Sequence, residues 1–593
     1  MILLRSFAAI LLVGSSSCES GNRDAVPLTP AVISSVALTV DSPVLRVGSS
    51  TVARAVAVDR NGGALSEQPV QWAVTSGADV ATVNDSGVVT THAPGSAVVE
   101  ARVDSTATTV ALDIVRPGQG GSRRAVLPLV TLDFPYPAKT GQTIVVAAGG
   151  NLQNALNSAQ RGDEIVLTAG ATYTGNFVLP AKSGTAANGW IVIRSDKAGQ
   201  LPAIGTRVTP SQAGLMAKVQ TANTAPAIRT AASASGWRLV GLEVTISASV
   251  TAQNYGLLWF GEASSPQTSL SSVPSDLVLE RSYVHGQSNT ELSRCVALHS
   301  SRSQVSDSYL DECHGSGYDS QAIWGANGPG PYKIVNNTLK GAGENIMFGG
   351  STPGISGMVP SDIEIRGNYL YTPLSWKGVW QKKNLLELKN SQRVLIEGNV
   401  LDGSWTDGQT GWAVIVRDDG CSWCASKDVT IQRNLIRNSG AGINVAGPLR
   451  KATARILVRE NVLDSLGMPP FNGERRVLQV LRGVASVTVE RNLATGGRIA
   501  ASMWLEGGEP CVFRENVWTR GQYGVTASGQ RPGAGALAAG CGRGYVWTGN
   551  TMIGVTHGAY PPGTNWVRSE GGASLAGLIR RVVQRETAGV VVP

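Results

Sequence analysis

The sequence predicts an all-β protein of two parts, a small β-sandwich followed by a long parallel solenoid. Three observations carry that prediction. The first hundred or so residues break into short alternating strands separated by turn signals. From about Lys333 onward a short asparagine motif recurs every 24 to 35 residues. The chain of 593 residues also holds 71 glycines against only 6% aromatics, a composition suited to many turns between short strands.

Taken in order, Met1 to Val13 has one early cation, Arg5, and then an apolar run too short to cross a bilayer, which is the form of an export signal. The run ends in SSSCES and resembles a bacterial lipoprotein signal over residues 1–18. That resemblance implies lipidation at Cys18, with membrane attachment only through that anchor, at the outer membrane, cell surface or periplasm. Ser15 stands three before Cys18, where such signals carry leucine, so secretion as a soluble protein is the alternative.

A polar tether over 19–30 leads into VALTVDSPVLRVG and its continuation. Asn61-Gly62-Gly63, Asp85-Ser86-Gly87 and Pro94-Gly95 separate strands of alternating polarity there. QWAV around Trp72, ATVNDSGVVT and GSAVVEARV follow the order of the bacterial Ig-like domain, type 2, which this segment resembles over 31–115. Trp72 is expected in its core. Arg116 to Ser122 read as a flexible linker, which we extend to 125.

The solenoid is expected over 126–560. A helix at about Leu152 to Ala159 precedes the strand in GDEIVLTAG. This order resembles the entry to a right-handed parallel β-helix, where a short helix covers the otherwise open strand edges. KIVNNTL, IEIRGNYL, VLIEGNVL, VTIQRNLI, ILVRENVL, VTVERNLA, CVFRENVW and YVWTGNTM then place Asn337, Asn368, Asn399, Asn434, Asn461, Asn492, Asn516 and Asn550 at intervals of 24 to 35 residues, with Ser282 and Ser308 in their place earlier. We read the asparagines as a structural ladder of stacked amides at a tight left-handed bend. Over 561–593 the repetition stops. SLAGLIRRVVQRE, 574–586, has apolar residues at helical spacing, so it either caps the solenoid or forms a basic surface helix.

Six cysteines remain besides Cys18. In an exported chain they are expected as disulfides, and Cys295-Cys313, Cys421-Cys424 and Cys511-Cys541 are the simplest of the possible connectivities. A lone CxxC at Cys421 to Cys424 has no second half to complete a zinc site.

A candidate site comes from counting back from the ladder. Ten residues before Asn399, Asn492 and Asn516 stand Lys389, Arg482 and Glu506. The same count reaches Arg417 from Asn434 once an insertion is removed, and one residue fewer from Ser308 reaches His299. Strand alternation puts Leu386 and Leu388 inward and Glu387 and Lys389 outward, with Val414 and Val416 inward and Arg417 outward. Phe348 and Ala446 are expected between them. His299, Glu387, Arg482, Glu506 and Trp412 are the expected substrate contacts. Trp376, Trp380, Trp405, Trp412 and Trp423 are five of 14 tryptophans, and they either close a satellite core or stack on sugar rings. The net charge of +8 and pI near 9.1 suit an acidic polymer. Outside the cell that means a polysaccharide rather than nucleic acid, bound by a monomer.

GTAANGWIVIRSDKAG, ASGWRLVGLEV, ELKNSQRVLIEGN and VIVR are similar to the chondroitinase B and alginate lyase family. That resemblance implies β-elimination from uronates, with Lys389 as base, Arg417 as acid and a bound Ca2+. The family's calcium-binding glutamate falls on Asn384, and Glu387 is the available substitute. Asp418-Asp419 follow Arg417 where the family has His-Gly. The solenoid also resembles a group of exported bacterial β-helix proteins that share ENIMFGG and VPSDIEIRGN. The two functions left open are a polysaccharide lyase and a non-catalytic surface or adhesion protein. The chain has no HExxH and no P-loop, and its histidines, including His285 and His314, read as loop hydrogen-bond partners.

Overall fold

The computed structural model describes residues 33–568 apart from short interruptions, the longest at 116–123. Cys18, the tether, the linker core and the 574–586 segment lie outside the described residues. The chain forms two compact units, 1–119 and 120–593.

Within the first unit, two sheets face each other. One contains Ile33–Val40, Ser50–Asp59, Val88–Thr91 and Ala81–Val83, with Ala64–Leu65 at its side. The other contains Val44–Arg46, Thr106–Val115, Gly95–Val103 and Gln71–Ser76. Only the Val44–Arg46 pairing is parallel. Ala81, Val89, Ala97, Val99 and Leu112 fill the space between, and Trp72 packs at its margin, half-buried. Gly87 explains the Asp85-Ser86-Gly87 turn: its φ is +74°, and a Cβ there would lie 2.4 Å from the Ala53 carbonyl oxygen and 2.9 Å from the Trp72 ring.

The second unit is a parallel β-helix of three sheets with 14, 14 and 12 strands among the described residues. A helix at Leu152–Ser158 precedes the second strand of the first sheet, Glu164–Leu167. Asn151 caps it, accepting from Asn154 N at 2.9 Å, and Leu152, Ala155 and Leu156 are buried. The alternation expected on the third sheet holds, since Leu386, Leu388, Val414 and Val416 all enter one continuous core. A second helix, Ala534–Cys541, is absent from the sequence reading. It packs on the third-sheet strands Ala501–Leu505 and Gly524–Thr526. Gly540 allows that approach, because a Cβ there would meet Leu505 at 2.7 Å.

All eight asparagines are buried and bonded in series. The backbone N–H of Asn368 donates to Asn399 Oδ1 at 2.9 Å and its Nδ2 donates to the same oxygen at 3.0 Å; Asn399 makes the same pair of bonds to Asn434. Each Nδ2 also reaches a strand carbonyl, that of Asn399 reaching Ile365 at 2.9 Å. The left-handed residue is the one before each asparagine: Asn336, Gly367, Gly398, Arg433, Glu460, Arg491, Glu515 and Gly549 all have φ between 53° and 65°. Ser282 and Ser308 continue the series, the Ser308 hydroxyl accepting from Ser282 N at 3.1 Å.

Three disulfides join Cys295 to Cys313, Cys421 to Cys424 and Cys511 to Cys541. Residues 126–135 run as a strap over the outward face of the first sheet. Val126 N and Leu129 N donate to Asp428 and Asp362, Lys333 Nζ donates to the Leu132 carbonyl, and Arg238 donates to the Phe134 and Pro135 carbonyls.

Candidate functional site: the outward face of the third sheet

The strand register decides which predicted residues are neighbours. Leu388 pairs with Val416, Arg417 with Ala446, Val445 with Val480 and Val480 with Leu505. The outward column is therefore Lys389, Arg417, Ala446, Leu481 and Glu506. Arg482 sits one residue further along, past the end of the strand Arg476–Val480. Even so, Arg417, Ala446, Gly447, Leu481, Arg482 and Glu506 together line one open pocket of about 420 Å³. The small Ala446 and Gly447 leave room between the two arginines. Arg417 is ion-paired with Asp419 and keeps 38% of its side chain exposed. Arg482 is exposed, and Glu506 accepts from Trp504 Nε1 at 3.2 Å and from the Ser528 hydroxyl. Lys389 lies one coil away, 12% exposed, with its Nζ 3.6 Å from Glu387 Oε1.

Four expectations are corrected. Phe348 pairs with Leu388 and points into the core, so Gly349 is the residue beside Lys389. Trp412 is buried against Ile415 and Ala441, closing a satellite core rather than offering a sugar platform. Glu387 has no exposed side-chain surface, because Asn384 and Lys389 cover it. His299 is likewise completely buried. Its ring stands edge-on to Trp324 at 4.5 Å, and its Nδ1 accepts from the backbone N–H groups of Ala326 and Asn327 at 3.2 and 3.3 Å.

Burial, reinforced by the Arg294 charge, holds the His299 imidazole neutral, with a pKa pushed from 6.5 down to about 3. The unfolded chain takes up a proton near 6.5 that the folded protein refuses. The stability that the neutral ring contributes is thus full above 6.5 and is lost as pH falls toward 3. A His299→Gln variant is expected to lose less stability than the parent between pH 7 and 4, read as urea midpoints at each pH.

Behind Lys389 lies a buried polar cluster. Gln321 Nε2 donates to Glu344 Oε2 at 2.6 Å, and Asn384 Nδ2 donates to Glu387 Oε2 at 3.1 Å. Burial, Glu387 and Asp319 push the Glu344 carboxyl up to about 8. Burial pushes the nearby Lys382 ammonium down to about 7, where it donates to Thr372 Oγ1 and to the Asn384 carbonyl. Among the described residues no group of three or more His, Cys, Asp or Glu side chains is placed to hold a metal. An oxygen-only set is present, however, since Glu344 Oε1, Asn384 Oδ1 and Glu387 Oε1 are buried without a hydrogen-bond partner, Glu387 Oε1 having only the Lys389 ammonium group 3.6 Å away. Two carboxyl groups and an amide are the donor type that a hard cation such as calcium takes, and its binding would displace the Glu344 proton and the Lys389 contact. Asn384, at the expected glutamate position, is supported by Glu344 from the preceding coil.

Fold and face define this protein as a parallel β-helix with an open, mainly basic surface along its third sheet. No family model and no curated protein matches the chain. Among solved structures, the catalytic domain of a GH87 alpha-1,3-glucanase shares 10% identity over 88% of this chain and 87% of that one, with a TM-score of 0.43. An alginate lyase from Paenibacillus sp. shares 14% over 60% and 96%, with a TM-score of 0.28. A PL6 family alginate lyase shares 12% over 72% and 53%, with a TM-score of 0.38. None of these likenesses bears on the reaction. No helix among the described residues is long and apolar enough to cross a membrane.

Proposed function

We propose that this is an exported protein, lipid-anchored at Cys18, whose solenoid binds an acidic polysaccharide along the third sheet and cleaves it by β-elimination. The observation that carries the binding is the pocket formed by Arg417 and Arg482, in line with Lys389 and open to solvent. Lys389 and Arg417 on adjacent coils and Arg482 two coils further on, at ~4.8 Å per coil, match a polymer with one carboxylate per ring better than they match a compact anion.

The Lys389 side-chain nitrogen takes the proton from the uronate carbon next to the carboxylate. That electron pair forms the double bond as the adjacent C–O bond breaks, and the departing glycosidic oxygen takes a proton from Arg417, which solvent replaces. Calcium held by Glu344, Asn384 and Glu387 would add positive charge beneath the sheet, favouring the carboxylate-stabilised anion. Calcium is expected to raise the melting temperature of the protein relative to chelator, and Glu344→Gln to abolish that rise.

The test is incubation with alginate, polygalacturonate, and chondroitin and dermatan sulfates, following the ultraviolet absorbance of unsaturated ends alongside calorimetric binding at several salt concentrations. Unsaturated product establishes the lyase. Salt-sensitive binding without product removes the reaction and leaves a non-catalytic adhesion protein. Absence of binding to every polymer removes the whole reading.

A further inference from the structure

A second pocket lies on the same face, nearer the N-terminal end of the solenoid, and its chemistry differs from that of the basic one. Its volume is about 300 Å³, at the small end of ligand pockets. Tyr255, Trp259, Tyr318, Trp324, Arg294 and Asp319 shape it. Trp259, Arg294 and Trp324 come from three successive strands, Leu258–Phe260, Arg294–Leu298 and Gln321–Gly325. Tyr255 and Tyr318 come from the connections that precede the first and last of these.

The rings are held rather than loose. Trp259 Nε1 donates to Glu262 at 3.0 Å, Trp324 Nε1 donates to the Gly349 carbonyl at 2.9 Å, and the Tyr318 hydroxyl donates to Glu291 at 2.6 Å. Their polar edges are used within the protein, and since Trp324 is buried beneath Arg294, the ring faces left for a ligand are those of Tyr255 and the half-buried Trp259. Gly256 sets the loop that carries Tyr255 directly on the Trp259 ring, since a Cβ there would come within 2.6 Å of it. Tyr255 itself is 62% exposed. A polar outer face is all that a solenoid needs for solubility, so an exposed tyrosine beside two fixed indoles is unexplained by folding.

The polar groups sit at one side. The Arg294 guanidinium lies over the Trp324 ring at 4.6 Å and its Nη1 donates to the Asp319 carbonyl at 3.0 Å, while its buried Nε has no acceptor. The Asp319 carboxylate is ion-paired with Lys383. Aromatic faces with charged and hydrogen-bonding groups along one edge match a pyranose ring, which is apolar across its C–H faces and polar at its rim.

We propose that this pocket is a saccharide-ring subsite that recognises one pyranose unit by stacking on Tyr255 and Trp259, with Arg294 and Asp319 facing the ring's polar rim. From the strand of Trp324 to that of Arg417 is three coils, ~14 Å at sheet spacing, so one extended polymer reaches both pockets. The shared occupancy rests on the polysaccharide reading above; the ring subsite itself does not.

The experiment is a fluorescence and calorimetric titration of the full chain with alginate-derived and polygalacturonate-derived hexasaccharides and with neutral cellohexaose, on the parent, Tyr255→Ala, Trp259→Phe and Arg482→Ala. Tyr255 is exposed, so its removal leaves the core untouched. Tyr255→Ala is expected to weaken oligosaccharide binding about tenfold without changing its salt dependence. Trp259→Phe is expected to retain most of the affinity, while Arg482→Ala flattens the salt dependence. Binding of an acidic probe that is indifferent to Tyr255→Ala overturns the subsite and leaves the basic groove standing. Tyr255-dependent binding of cellohexaose alone supports the subsite and removes the polyanion. Failure of every probe to bind overturns both.

Discussion

Replacing Lys389 by alanine is expected to slow formation of unsaturated product by about a hundred- to ten-thousandfold, the range that a positioned general base contributes. Affinity should change far less. Lys389 is only 12% exposed and is already partnered by Glu387, so its loss removes little net attraction for the polymer. Arg482→Ala should show the opposite pattern, with weaker binding at low salt and a nearly unchanged turnover at saturation, because Arg482 is exposed and one residue past the Lys389 column. Product formation measured at saturating and limiting polymer separates the two. A Lys389→Ala protein that turns over at the parental rate would remove the assignment of the base.

Asn399→Ala is expected to cost about 3 kcal/mol of stability. The change leaves the Asn368 backbone N–H and the Ile365 carbonyl without their bonds and deprives Asn434 Oδ1 of a donor, all in a buried column. Because each amide bonds the next, the loss sits between two intact halves of the ladder. It should appear as a lower urea midpoint and as faster amide exchange in the flanking strands. Arg433→Gly, at the left-handed position one coil on, provides the contrast. Glycine adopts φ near 53° without penalty, so the variant should be close to neutral. An Asn399→Ala protein as stable as its parent would mean that the ladder follows from the strand packing and does not support it.

The ladder was legible because it is local and repeated. A side chain that bonds its own turn and the next must recur at every coil, whatever lies outside the solenoid. The bend is different: the recurring asparagine marked it, yet the left-handed residue is the preceding one, where arginine, glutamate, asparagine and glycine all occur. Residues of such different kinds leave no common signal. The basic column was legible in part. Counting from the asparagines reached Lys389, Arg417, Ala446 and Glu506, but it misplaced Arg482 by one position and could not say that Leu481 completes the pocket. The interval between strand and asparagine runs from 11 residues, Leu388 to Asn399, to 18, Val416 to Asn434, and only hydrogen-bonded pairing measures it.

The aromatic pocket left no trace in the sequence. Tyr255, Trp259, Arg294, Tyr318 and Trp324 share no spacing, and the cluster of tryptophans that did stand out, from Trp376 to Trp423, includes Trp376, Trp405 and Trp412, all buried. Amphipathic alternation and the asparagine repeat were sufficient to determine a β-sandwich followed by a three-sheet solenoid, because the two-residue period of a strand and the repeat of a coil are written in neighbouring residues. Which outward side chains meet solvent was decided by the tertiary structure alone. Exposure on that face depends on side chains from adjacent coils and on the connections between strands: they enclose His299, Glu387 and Trp412 and leave Arg417, Arg482 and Tyr255 open.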